Sequence, residues 1–122
     1  MKQRIFSSLA TVVLLLAATV FVGSTTASAA AAALCDPPGY YNASSSTAIV
    51  LRSHYIKDAP YAACGNAAWV DEGAKLYIWC STVNKYGNMW LYVRIAGTSS
   101  RGWVSMDNIE VTGGAFPCGD PF

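Results

Sequence analysis

Charge is scarce in this chain, with eight Lys plus Arg and seven Asp plus Glu in 122 residues. Nucleic-acid binding needs a basic footprint, and no run of Lys and Arg supplies one, so that partner class is excluded. Histidine occurs once, at His54. The four cysteines, Cys35, Cys64, Cys80 and Cys118, are spaced by 29, 16 and 38 residues, with no Cys-x-x-Cys knuckle of the kind that holds zinc. There is no Gly-x-Ser-x-Gly elbow and no Gly-rich loop able to cradle phosphate. No stretch sustains a helical period. These absences imply no metal, no cofactor and no catalytic machinery, and a non-catalytic protein is expected.

Two weaker constellations fail on chemistry. His54 and Cys64 could pair as base and thiol nucleophile, but an exported chain with an even cysteine count oxidises its thiols. Asp71 and Glu72 are adjacent in a turn, which sends their carboxylates to different sides and into water.

What is present begins at the amino terminus. Lys2 and Arg4 precede an apolar run from Leu9 to Val22, and Ala27-Ser28-Ala29 meets the small-x-small rule for signal peptidase. Residues 1–29 read as a secretory signal. The run is short for a span of ~20 residues, so no membrane association is expected after cleavage. Lys2 and Arg4 leave with the signal and no acid does, which leaves six basic and seven acidic side chains and a net charge of −1. The remaining ~90 residues suffice for one small domain, expected to be an extracellular monomer, either free or associated with the cell envelope.

All four cysteines survive cleavage, which implies two disulfides. Three pairings are allowed. Cys64–Cys80 with Cys35–Cys118 is the preferred one, because the first staples neighbouring segments and the second joins the two ends. Each would contribute roughly 3–4 kcal/mol by the loop-entropy model.

Residues 30–47 read as an irregular Pro/Gly/Ser-rich lead-in, followed by a β domain with a C-terminal tail over 48–122. Asn42-Ala43-Ser44 matches a glycosylation acceptor, which has meaning only in a eukaryotic secretory pathway. The run Thr47-Ala48-Ile49-Val50-Leu51 puts Ile49 and Leu51 on one face. His54 to Ala67 reads as a long irregular arm. Asp71-Glu72-Gly73 is a turn. Beyond it Leu76, Ile78 and Cys80 alternate with Tyr77 and Trp79. After a turn at Asn84-Lys85-Tyr86-Gly87-Asn88, Leu91, Val93 and Ile95 alternate with Trp90, Tyr92 and Arg94. Gly102-Trp103-Val104 opens a late strand with Val104 inward, and Asp107 to Val111 could hold one helical turn before a last strand. Short strands at turn spacing predict an all-β barrel or sandwich.

The order of these pieces resembles the bacterial SH3-like domain from about Ile49 to Val111. The segments that carry the likeness are "LRSHYIKDAPY", "VDEGAKLYIWC" and "NMWLYVRIAGTSSRGWVSMDNIEV", with Gly-Trp-Val and Trp-x-x-Val the most specific parts. The family's usual Arg-Ser-Gly-Pro is here Arg52-Ser53-His54-Tyr55. The resemblance implies a small barrel of about five strands but not one ligand, since members of the family bind cell-wall peptide or glycan or act as accessory modules. The function expected is a secreted non-catalytic module that binds cell-wall peptide or glycan through an aromatic groove. The alternative is a small secreted inhibitor or effector that presents its loops, such as residues 55–64, to a protein partner.

Candidate ligand contacts follow from the aromatic residues and the arginines. Tyr77, Trp79, Trp90 and Tyr92, with Tyr55 and Tyr61 from the arm, could form an aromatic strip, since rigid rings offer contact area at little entropic cost; the ligand contacts expected among the aromatic residues are Tyr55, Tyr61, Trp90, Tyr92 and Trp103. Cross-strand pairing within a sheet is the competing role for such rings. Trp103 could equally pack as core. Arg52 and Arg94 could orient a carboxylate or make structural ion pairs.

Overall fold

Strand-forming runs of Val, Ile, Tyr and Trp between Gly- and Asn-containing turns give a chain of short strands. A computed structural model describes residues 34–119; the segment read as a signal lies outside the described residues. The strands are β1 (Thr47–Val50), β2 (His54–Lys57), β3 (Asn66–Val70), β4 (Lys75–Val83), β5 (Met89–Ile95), β6 (Arg101–Ser105) and β7 (Ile109–Thr112), with a 3-10 turn at Met106–Asn108. They form one antiparallel sheet in the order β3-β2-β6-β5-β4-β1-β7. The fold is all-β, as expected. Among the described residues the strand count is seven rather than about five, and the sheet is not closed: β3 and β7 are its two edges. No helix among the described residues is long and apolar enough to cross a membrane.

Much of the difference in count comes from residues 54–67. Their Pro and Gly suggested an irregular arm, but the segment forms most of a hairpin. His54 pairs with Val70, Tyr55 with Trp69 and Ile56 with Ala68, and a bulge follows at Ile56/Lys57. Pro60 and Gly65 lie in the loop between the two strands, where neither interrupts a ladder.

The aliphatic core lies on the inner side of the sheet. Ala48, Val50, Ile56, Val70, Leu76, Ile78, Leu91, Val93, Val104 and Ile109 pack there. Burying each larger aliphatic side chain contributes about 1.5–3 kcal/mol. In β1 the faces are the reverse of what side-chain size suggests. The small Ala48 and Val50 are inside, and Ile49 and Leu51 are about half exposed. Ala48 faces Leu76 of β4 and Val111 of β7, so large neighbours fill the space beside a small residue.

A second bulge, between Ile78 and Cys80, decides the disulfides. Ile78 pairs with Val93, but Cys80 pairs with Tyr92. A one-residue slip moves a side chain to the other face. Cys80 therefore leaves the row of Leu76 and Ile78 and joins Trp90, Tyr92, Trp103 and Cys118 on the outer side. The disulfides are Cys80–Cys118 and Cys35–Cys64, neither of which is the pairing preferred from spacing. Cys80 faces the returning tail, where Cys118 donates its backbone N–H to Ser81 and Ser81 donates to Phe116. Cys64, in the loop after β2, meets the lead-in at Cys35.

The lead-in is irregular but anchored. Ala43 donates to the Trp79 carbonyl at 2.8 Å, Ser44 Oγ donates to the Ile78 carbonyl at 2.8 Å, and Ile78 donates back to Ser46 at 3.0 Å. At the β4–β5 turn, the buried Asn84 amide oxygen accepts from the N–H groups of Tyr86 and Asn88. Its Nδ2 donates to Pro60 at 2.9 Å. Gly87 supplies the positive φ of 84° that this turn requires.

Candidate functional site

The Tyr55–Trp69 cross-strand pair forms one wall of a groove of about 380 Å³. Period-two alternation beside the buried Ile56 and Val70 turns both rings outward. They are about half exposed and meet edge-to-face with centroids 4.9 Å apart. Trp69 Nε1 donates to Asp71 Oδ1 at 2.9 Å, which fixes the indole. The facing wall comes from Trp90 at the start of β5, Val104 and Ser105 at the end of β6, and Asn108 of the 3-10 turn. His54, Lys57 and Ala62 complete the lining.

The polar groups of this groove have definite roles. Lys57 Nζ donates to Asn66 Oδ1 at 2.7 Å and to the Cys64 carbonyl at 3.3 Å, so the ammonium is held at the groove's side. His54 Nδ1 lies 2.7 Å from the Arg52 carbonyl. A carbonyl only accepts, so Nδ1 carries the proton, and in the neutral ring Nε2 is an acceptor. That Nε2 is buried without a hydrogen-bond partner among the described residues, and so is the Trp90 Nε1–H, a donor. Orphaned buried polar atoms are uncommon and costly in folded proteins. Here one acceptor and one donor belong to residues lining the same groove.

The structure divides the residues singled out from sequence. Tyr55 and Trp90 line the groove. Arg52 is not among the lining residues but donates from Nη1, at 3.1 Å, to Oδ1 of Asn108, which is in the lining. Tyr61 instead joins the 58–65 loop to the β4–β5 turn: its hydroxyl accepts from Lys85 N–H at 3.0 Å and its ring meets Tyr86 edge-on. Arg94 lies over the Tyr77 ring and donates to the Thr98 carbonyl at 2.8 Å, away from this groove.

Trp103 and Tyr92 lie in the second core. Trp103 is 1% exposed, packed against Tyr92 and the Cys80–Cys118 disulfide, and has no ring face left for a ligand. Tyr92 is stacked under Tyr40 of the lead-in with centroids 3.8 Å apart. Burial, then the hydrogen bond and proximity of Tyr40, push the Tyr92 phenol up to about 12, against a smaller opposing effect of Arg101.

Sequence reading overlooked Trp69, Lys57 and Asn108 as groove residues and weighed His54 only as a base. The signal for Trp69 was its place next to Val70 in a short alternating run, but without its partner strand that run shows no register. Cys64 is held in a disulfide, so it offers no thiol to His54.

Comparison of the chain with protein-family models, with curated proteins and with solved structures gives no match.

Proposed function

We propose that this chain is a secreted, non-catalytic binding module with an SH3-like fold, whose groove between the β2–β3 hairpin and the 3-10 turn receives cell-wall peptide or glycan. The SH3-like reading draws support from the placing of β1 beside β7 and from the 3-10 turn between β6 and β7. Export draws support from the two disulfides, which point to an oxidising compartment.

One observation carries the functional reading: aromatic rings from separate elements, Tyr55, Trp69 and Trp90, converge on one groove, and two of its lining residues, His54 and Trp90, each hold a buried ring nitrogen with no partner among the described residues. Pockets of this kind take ligands whose apolar faces pack and whose few polar groups fix orientation. The test is cosedimentation of the oxidised protein with purified peptidoglycan. Saturable binding is expected, with a loss of about tenfold or more in Trp69→Ala and Tyr55→Ala, the size typical of an aromatic anchor. Both residues are half exposed, so each variant should fold. Absence of binding by the folded protein would reject the wall ligand.

A second reading is favoured by the Cys35–Cys64 bridge, which pins the loop after β2 and leaves Ala62 and Ala63 exposed. A pre-organised loop of this kind suits a secreted inhibitor or effector. Capture of a secreted enzyme, lost on substitution of Ala63 by Arg, outside the groove lining, would support it over the groove.

A further inference from the structure

The outer face of the sheet holds an arrangement that the first groove does not use. Thr112, Thr47, Tyr77, Arg94 and Arg101 are in register across β7, β1, β4, β5 and β6. The row ends with two arginines directly opposite each other. Like charges at such positions destabilise a sheet. Each guanidinium lies over an aromatic ring, Arg94 4.8 Å from the Tyr77 centroid and Arg101 4.8 Å from that of Trp79. Lys75 Nζ adds a third cation 5.2 Å from the Tyr77 ring.

Beside this row is a groove of about 370 Å³, where the lead-in crosses β4 and β5. Tyr77, Trp79 and Arg94 line it from the sheet; Asn42 and Ser44 to Ser46 line it from the lead-in. No carboxylate is among its lining residues, and none of those residues lines the first groove. The position of the lead-in is fixed by the backbone bonds of Ala43 and Ser46 to β4, so the hydroxyl-bearing rim is built into the fold.

We propose that this face binds a carboxylate-bearing saccharide. The planar guanidinium forks of Arg94 and Arg101 pair with the carboxylate. The rings under them hold those forks in place, so less side-chain freedom is lost on binding. The Asn42 amide and the Ser45 hydroxyl, both on exposed residues, meet sugar hydroxyls, while the flanks of Tyr77 and Trp79 meet the sugar's apolar face. An anion between the two arginines converts their mutual repulsion into shared attraction. The site is independent of the first groove and stands whether or not that groove binds cell wall.

The test is a titration of the full, oxidised, 15N-labelled protein with an oligogalacturonate, followed by amide shifts. A neutral oligosaccharide of equal length and inorganic phosphate serve as controls. Saturable shifts are expected at residues 42–46, 77–79, 94 and 101. Arg94→Gln and Arg101→Gln should each weaken binding about tenfold, and Tyr55→Ala should leave it unchanged. Arg101 is exposed, so its variant keeps the test open should Arg94→Gln disturb the fold. The proposal is overturned if the uronate causes no shifts or shifts the Tyr55–Trp69 groove instead. It also fails if phosphate binds as tightly as the sugar acid, or if Lys85→Gln, remote from the groove lining, weakens binding as much as the arginine variants do.

Discussion

The central strands β4, β5 and β6 have two faces, and both are buried, by different means. On the inner face, Leu76, Ile78, Leu91, Val93 and Val104 are aliphatic and are covered by hydrogen-bonded strands of the same sheet. On the outer face, Trp90, Tyr92 and Trp103 are aromatic, and irregular chain covers them. The lead-in brings Tyr40 and Ala43, and the tail brings Cys118. The inner cover is held by a ladder. The outer cover is held by one disulfide at each end of the domain, with a few backbone bonds. A domain this small gains a second core by folding its ends over a face that would otherwise be wet, and it needs covalent ties to keep them there.

The largest expected effect separates the covered aromatic residues from the exposed ones. Trp103→Ala should destabilise the domain by about 3–5 kcal/mol, since it removes a fully buried indole from a closed cluster. Trp69→Ala, half exposed on β3, should stay within about 1 kcal/mol. Urea unfolding of the two variants measures the contrast directly. Equal losses would mean that the outer cluster is not a core.

Next in size are the two ties. The loop-entropy model assigns each disulfide roughly 3–4 kcal/mol, for separations of 29 and 38 residues. Packing should separate them. Cys80 is wholly buried and Cys118 nearly so within the aromatic cluster, whereas Cys35 is only half-buried. The double variant Cys80→Ala/Cys118→Ala should therefore lose more midpoint stability than Cys35→Ala/Cys64→Ala. The reverse order would place the stabilisation in the lead-in rather than in the tail.

Gly102→Ala tests the inner cover. A methyl group there would meet the Lys57 carbonyl oxygen at 2.9 Å, Ala67 Cβ at 3.0 Å and Ile56 Cδ1 at 3.1 Å. Backbone cannot yield as a flexible side chain can, so β2 and β6 must separate, at a cost of about 1–3 kcal/mol. A thermal melt unchanged from wild type would show that the β2–β6 contact is looser than these distances require.

Gly102 also shows what the sequence made legible. Gly102-Trp103-Val104 was read as opening a late strand, and it lies in β6. Val104 was expected inside and is inside. The turns at Gly73 and Gly87, and the helical turn before the last strand, followed from local chemistry. Two kinds of fact were not legible. A bulge leaves no mark in an alternating run, so the slip at Ile78/Cys80 was invisible, and with it the face of Cys80 and both disulfides. Alternation shows that a strand has two faces, but not what covers each one. Tyr92 therefore read as part of a surface strip and Trp103 as divided between core and groove wall, though the chain's own ends had covered both, while Trp69 lacked its partner Tyr55 until β2 was seen as a strand. Of the site, Tyr55 and Trp90 were read from sequence and placed together by the fold, and the polar lining came from pairing alone.

The smallest effect concerns the lead-in's hold on the outer face, and pH reads it. Burial and Tyr40 raise the Tyr92 phenol to about 12, above its ordinary value of about 10. The folded state thus favours the protonated phenol. Its contribution is fully present below about pH 10 and is lost as pH rises through about 12, because the unfolded chain releases that proton first. A tyrosine titrating near 12 should be visible in the ultraviolet absorbance of the folded protein. Tyr40→Ala removes the hydrogen bond and uncovers the ring, so that titration should move down toward 10 while the fold persists. The decline in stability between those two pH values should then flatten. A titration that stays near 12 without Tyr40 would assign the shift to the buried Trp79–Trp103 surroundings alone, and would leave the disulfide between Cys80 and Cys118 as the chief closure of the outer face.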